Sequence, residues 1–200
     1  MNNLEAFNQS LFLQINASTV TPKWIIDVAI IIANDLLYLM LAILFAYWLW
    51  GNSTKRNLTI KVCLVAILAV GLNQVIGLVY WHPRPFMIGL GHMWMYHAAD
   101  SSFPSDHLAV FAGVGLTMMF DGEIRIGIVT LLTGLGVAWA RVFLGVHFPL
   151  DMVGAVVVAG LAYALVSPFW HKVGILITAL VERVYRKILA LPIVTMSIRR

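Results

Sequence analysis

The sequence predicts an all-α fold: a polytopic membrane helix bundle of five to six membrane helices plus an interfacial N-terminal helix, forming one membrane domain over residues 1–200. Composition is the first reason. Hydrophobic residues make up 61% of the chain and charged residues 11%, against roughly 45–50% apolar residues in soluble domains, and the mean hydropathy is +0.90. The second reason is the recurrence of apolar runs long enough to cross a hydrocarbon core of about 30 Å. Only closed hydrogen-bonding patterns survive in lipid, and the lengths of these runs suit helices.

The elements follow in order. From Asn3 to Asn16, Leu4, Phe7, Leu11, Phe12 and Ile15 recur at helical spacing against Glu5, Asn8, Gln9 and Gln14, so residues 1–20 read as an amphipathic interfacial helix. Thr21-Pro22 breaks the chain. The apolar segment Trp24–Trp50 is interrupted by Asp27 and Asn34-Asp35, so its span is expected to start near Asp35, and Tyr47, Trp48 and Trp50 close it as an aromatic belt. Gly51–Lys61 reads as a polar loop and Val62–Tyr80 as a span. Trp81–Phe103 is the longest polar interval. Pro104–Phe120 and Ile126–Ala140 then form two spans joined by a tight turn at Asp121–Arg125, and Arg141–Phe148 leads into Pro149–Val166. Residues 167–200 are expected to hold a separate C-terminal apolar helix, near 173–191, and a basic tail.

No Lys or Arg precedes Lys23, so a cleaved secretory signal is not expected. Cys63 is a lone cysteine inside an apolar run, where a packing role is the ordinary one. Of the thirteen Lys and Arg residues, ten fall on one side of the spans: Lys55, Arg56, Lys61, Arg125, Lys172, Arg183, Arg186, Lys187, Arg199 and Arg200. That side is expected to be cytoplasmic. Because the basic residues mark segment ends and not an aromatic-laced soluble patch, a nucleic-acid partner is not expected. A transporter would need ionisable groups at the bilayer midplane, whereas here they gather at helix ends.

Three short segments put costly polar groups at the helix ends of the opposite side: His82-Pro83-Arg84-Pro85, Pro104-Ser105-Asp106-His107, and Arg141 with His147 and Asp151. Together they resemble the three-part signature of the type-2 phosphatidic acid phosphatase (PAP2) superfamily, with Arg84-Pro85, Pro104-Ser105 and His107, and Arg141, His147 and Asp151 matching in order across a signature core of residues 58–166. Three positions depart from the family pattern: Gly77 stands where a Lys is usual, Asp106 where a Gly is usual, and Ala140 where a Ser is usual. The Asp106 departure and the short chain look like the bacitracin-resistance-type undecaprenyl diphosphate phosphatases. The resemblance implies a fold of PAP2/haloperoxidase type and a hydrolase in the bacterial inner membrane with an outward-facing site, acting in cell-wall lipid recycling. It also implies a polyprenyl diphosphate substrate held within the bilayer. Phosphatidylglycerophosphate, phosphatidic acid and lipid A are the alternative substrates, and transfer of the phosphate to another lipid is the alternative reaction.

The residue types suit that chemistry. Phosphate-ester cleavage needs positioning and cationic or N–H donors around the transferring group, and Arg84 and Arg141 offer planar forks for it. Pro104 and Pro149 look like first-turn helix prolines, which would set Ser105, Asp106 and His107 on a helix N-terminus suited to anions. His147 is the candidate nucleophile, with Asp151 fixing its tautomer, and His107 is the candidate general acid. Asn73, Gln74, His82 and His97 are candidate substrate contacts. No cofactor is expected. A metal site built from His107, His147 and Asp151 is the competing reading, disfavoured by the two arginines, which would repel the ion.

Overall fold

The computed structural model describes residues 3–189, with side chains described through residue 187. Its helices are α1 (Asn3–Ile15), α2 (Lys23–Trp50), α3 (Ser53–Val79), α4 (Asp106–Phe120), α5 (Ile124–Phe143) and α6 (Pro149–Leu189), with a 3-10 turn at Pro85–Ile88. Four of them, α2, α3, α5 and α6, are long and apolar enough to cross a membrane, and α4 is a shorter apolar helix. The count therefore falls at the lower end of the expected five to six.

The bundle is built around α4, nine of whose fifteen residues are buried and which packs on α3, α5 and α6. Apolar side chains are distributed inside out relative to a soluble protein: on α6, Val153, Val156, Val157, Leu161 and Leu165 face outward in a stripe, as lipid contact requires. Helices α4 and α5 approach closely at Gly115 and Gly127, where a Cβ on Gly127 would sit on the backbone of Met119.

Several boundaries differ from the sequence expectation, each for a local reason. Lys55, Arg56 and Lys61 lie within α3, because Asn52 caps it by accepting the Lys55 N–H at 3.0 Å and shrinks the connection to two residues. Helix α2 starts at Lys23, well before Asp35; Lys23 pairs with Asp27 at 2.7 Å, one turn on, and Asp35 is exposed. Pro104 lies outside α4, which starts at Asp106 with Ser105 as its N-cap, whereas Pro149 opens α6.

The largest difference is α6. It continues through Pro168 as one helix of 41 residues, about 60 Å long at 1.5 Å per residue, so among the described residues there is no separate tail helix and no turn back after Val166. Its distal half packs beside the start of α3, where Asn57 Nδ2 donates to Thr178 Oγ1 at 2.8 Å, Trp170 Nε1 donates to Asn57 Oδ1 at 3.0 Å and Arg56 pairs with Glu182 at 3.4 Å. Lys172, Arg183, Arg186 and Lys187 thus share one end of the bundle with Lys55 and Arg56. Arg199 and Arg200 lie outside the described residues. Lys61, 2% exposed, is enclosed at this end as well. It pairs with Asp121, donates to Ser167 Oγ at 2.8 Å and lies 4.8 Å from the Tyr163 ring centre.

At the other end, α1 closes over the start of α6 and the long loop. Phe12 is fully buried edge-on to Phe148, with ring centres 5.4 Å apart, and Asn8 Oδ1 accepts the Leu150 N–H at 3.0 Å.

Candidate active site

The start of α4, the end of α5 and the short connection into α6 meet beneath the loop 81–103. They enclose a cavity of about 500 Å³ lined by Arg84, His107, Arg141, His147 and Asp106, with Asn73, Gln74, Gly77 and Leu78 on the α3 side. Gly145 makes this possible: its φ of +82° is one that L side chains rarely adopt, and a Cβ there would collide with the His92 carbonyl. The tight reversal carries the chain from Arg141 to His147 within one connection.

His147 is 2% exposed. Its Nδ1 lies 3.0 Å from the Ser102 carbonyl and 3.2 Å from Asp151 Oδ2. A carbonyl only accepts, so Nδ1 carries the ring proton and Nε2 keeps its lone pair. That lone pair faces Arg84 Nη1 at 3.1 Å and the cavity. Burial, followed by the charges of Arg141 and Arg84, holds His147 well below its ordinary pKa, so its contact with Asp151 is a hydrogen bond from a neutral ring. Asp151 Oδ2 also accepts from the Ser102 hydroxyl and from the Phe148 N–H at 2.8 Å, so a carboxylate on the first turn of α6 fixes the ring from behind.

The two arginines are held differently. Arg84 is anchored on three sides, with donors left over toward the cavity: Nε donates to Asp100 Oδ1 at 2.8 Å, Nη1 to the Val146 carbonyl at 2.8 Å and Nη2 to the Ser101 carbonyl at 3.2 Å. Partial burial would raise the Asp100 carboxyl, but the Arg84 hydrogen bond and charge hold it below its usual range. Arg141 is 1% exposed; its side chain makes no hydrogen bond or ion pair among the described residues and leaves Nε enclosed without a partner. A buried guanidinium with unused donors beside a helix N-terminus is chemically suited to an anion.

The remaining sequence candidates divide. His97 lines the cavity, its ring centre 6.0 Å from that of His147, and burial and Arg84 lower its pKa. Pro104 borders the cavity, but the Ser105 hydroxyl is fully buried and unpartnered and does not line it. Asp106 does line it, with its carboxylate taken by Asn73 Nδ2 at 2.9 Å and Gln74 Nε2 at 2.7 Å. His82 points away into a separate cavity beneath α1, where Nε2 lies 3.3 Å from Glu5 Oε2; the Pro83 turn sends it to the face opposite Arg84. His107, His147 and Asp151 do not form a metal cluster, and among the described residues no group of three or more His, Cys, Asp or Glu side chains could hold a metal ion. Sequence reasoning missed Ser102, whose only signal is its place two residues before the Pro104-Ser105 pair. Asp100, in the longest polar interval, likewise carries no sequence signal that sets it apart from a solvated loop residue.

The sequence profile of the PAP2 superfamily matches residues 58–175. YbjG of Escherichia coli strain K12, named provisionally as an undecaprenyl-diphosphatase, is 34% identical over 190 residues, 95% of this chain and 96% of its own length. BcrC of Bacillus subtilis strain 168, named an undecaprenyl-diphosphatase, is 38% identical over 117 residues, 58% of this chain and 60% of its own length. Among solved structures, a transmembrane PAP2-type phosphatidylglycerolphosphate phosphatase from Bacillus subtilis superposes with a TM-score of 0.65 at 20% identity, covering 86% of this chain and 89% of that one, a likeness of fold.

Proposed function

The chain belongs to the PAP2 superfamily and is a membrane lipid phosphatase, and we propose that it hydrolyses undecaprenyl diphosphate to undecaprenyl phosphate and inorganic phosphate through a phosphohistidine. The observation that carries this reading is Arg141: a buried cation with unused donors, set beside a neutral His147 whose Nε2 lone pair faces the same cavity. The names of the two relatives support the lipid class. Exposed Leu78 and Trp81 at the cavity edge suit an isoprenoid chain that stays in the bilayer.

In the first step His147 Nε2 attacks the terminal phosphorus and the bond to the bridging oxygen breaks. Arg84, Arg141 and the N–H groups opening α4 take up the charge on the transferring group. His107, neutral in the empty cavity, takes up a proton as the anionic headgroup enters and passes it to the leaving lipid phosphate, while the Nδ1 proton of His147 stays on the ring, facing Asp151 and the Ser102 carbonyl. Water then attacks the phosphohistidine, giving a proton to the now neutral His107, and the P–Nε2 bond breaks so that His147 departs as a neutral ring and inorganic phosphate is released. The basic end of the bundle supports a cytoplasmic placement for it, which would set the cavity at the outer face of the bacterial inner membrane, where recycling of the carrier lipid would confer bacitracin resistance.

Purified protein assayed on undecaprenyl diphosphate, phosphatidylglycerophosphate, phosphatidic acid and lipid A should release phosphate fastest from the first, and His147→Ala should abolish both turnover and the acid-trapped phosphoenzyme. A preference for another lipid would replace the substrate, and substantial residual activity in His147→Ala would remove the covalent mechanism. For sidedness, single cysteines at Met95 and Asn52 in a Cys63-free protein should label oppositely with an impermeant maleimide in spheroplasts, Met95→Cys reacting and Asn52→Cys not. The reverse labelling would put catalysis in the cytoplasm.

A further inference from the structure

One wall of the cavity carries charge of the wrong sign for a phosphate site. Asp106, the first residue of α4, holds its carboxylate between the amides of Asn73 and Gln74, one on each oxygen at 2.9 Å and 2.7 Å. All three line the same cavity as Arg84, Arg141, His107 and His147. Asn73 is 3% exposed, yet its Oδ1 is enclosed without a partner, so the bond to Asp106 is the contact that orients this amide. A solvated first-turn acid already satisfies the helix dipole. An amide that buries an orphan acceptor to hold that acid is a costlier arrangement, and it fixes the carboxylate in place against the cavity.

The placement changes the charge of the site. Arg84 and Arg141 are matched by Asp100 and Asp106, so with neutral imidazoles the lining has no formal excess of positive charge. Gly77, one turn beyond Asn73 on the same wall, contributes no cation. Donors in such a site still stabilise charge that develops on a correctly placed phosphoryl group, but a phosphate arriving or lingering there gains less from the net field. The proposed reaction produces two such anions in one cavity, inorganic phosphate and a lipid monophosphate. Two buried guanidinium groups and a helix N-terminus would otherwise retain both.

Resting on the lipid-diphosphate reading, we propose that Asp106, clamped by Asn73 and Gln74, is a specificity and release residue. It disfavours inorganic phosphate and lipid monophosphates in the cavity, whereas a diphosphate headgroup, long enough to reach donors on both walls at once, overcomes the repulsion.

Three variants test this. Asp106→Asn keeps the shape and removes the charge, Gln74→Lys sets an ammonium against the carboxylate without removing it, and Asp106→Glu keeps the charge. Inhibition by inorganic phosphate is measured in detergent micelles on whichever lipid the enzyme hydrolyses, together with the ratio of kcat/KM for polyprenyl diphosphate over phosphatidic acid. In Asp106→Asn and Gln74→Lys the phosphate inhibition constant and the kcat/KM ratio should each fall about tenfold or more, the equivalent of roughly 1.4 kcal/mol, while Asp106→Glu stays within about threefold of the native enzyme. If Asp106→Asn fails to insert, Gln74→Lys carries the test alone, because Gln74 is exposed. Phosphate inhibition unchanged within about twofold in the neutralised variants, or an equal shift in Asp106→Glu, overturns the proposal. A native enzyme that prefers a monophosphate lipid would overturn the substrate reading, while phosphate inhibition would still report on Asp106.

Discussion

Arg141→Met should make the ligand-free protein more stable while destroying its activity. The side chain is 1% exposed, Nε is enclosed without an acceptor, and the neighbouring cation, Arg84, repels it, with Asp106 and Asp100 as the opposing charges. Burying an ion costs several kcal/mol after relaxation, and replacing buried charged groups by apolar ones of similar volume commonly gains about 1–4 kcal/mol. A gain of about 2 kcal/mol corresponds to a rise of roughly 4–8 °C in melting temperature for a chain of this size. Loss of a transition-state cation should lower kcat by about a thousandfold or more. Orthovanadate, a mimic of the pentavalent phosphorus in the transition state, supplies the anion that Arg141 lacks. At about a hundred times its dissociation constant it should stabilise the native protein by about 2.7 kcal/mol and leave Arg141→Met nearly unmoved. The assay is thermal unfolding of detergent-solubilised protein, with and without vanadate. A lower melting temperature for ligand-free Arg141→Met, or an undiminished vanadate shift in it, would refute the argument that this arginine is held unpaired for an anion.

Two further outcomes follow from the same geometry. His147 is kept neutral in the fold, whereas the unfolded chain takes up a proton below about pH 6.5, so the stability tied to His147 is complete above that pH and is lost as pH falls below it; denaturation at stepped pH should show a slope shallower by up to about 1.4 kcal/mol per pH unit in His147→Asn, and an unchanged slope would show that the ring is already charged in the fold. At the opposite end, Lys61→Ala or Asp121→Ala should each cost about 3–5 kcal/mol by stranding a buried charge, and the double variant should cost less than the sum; single costs below about 1 kcal/mol would mean that water or lipid headgroups already screen the pair.

Much of the candidate site's geometry was legible because its residues sit in three short segments whose polar groups have no ordinary reason to stand at lipid level. Arg84, His107, Arg141 and His147 do meet in one cavity. What the sequence hid depended on backbone direction. Arg84 and His82 are two residues apart, yet a proline turn sends them to opposite faces. Ser102 and Asp100 belong to the longest loop, where neither periodicity nor charge distinguishes a residue that reaches back to the site from one that faces water. Helix ends were misjudged for a different reason. Pro168 reads as a stop in water, but with no solvent to compete for the freed carbonyl, α6 passes through it, and Lys172, Arg183, Arg186 and Lys187 remain at one end of the bundle.

Helix α4 is too short for its surroundings. Its fifteen residues extend about 22 Å across a hydrocarbon layer of about 30 Å, so its two ends together lie about 8 Å inside the depth that an ordinary spanning helix would fill. At one end Asp121 is neutralised by Lys61 and takes a hydrogen bond from Tyr163 at 3.2 Å; at the other, Asp106 and His107 open into the cavity. On the proposed reading, the mismatch would sink the reaction centre below the plane of the surrounding headgroups, as a well sunk into a floor. A lipid would then not need to be drawn up out of its leaflet to react: its phosphates would descend into a polar recess, water would follow them, and the hydrocarbon tail would keep its place among its neighbours throughout the cycle.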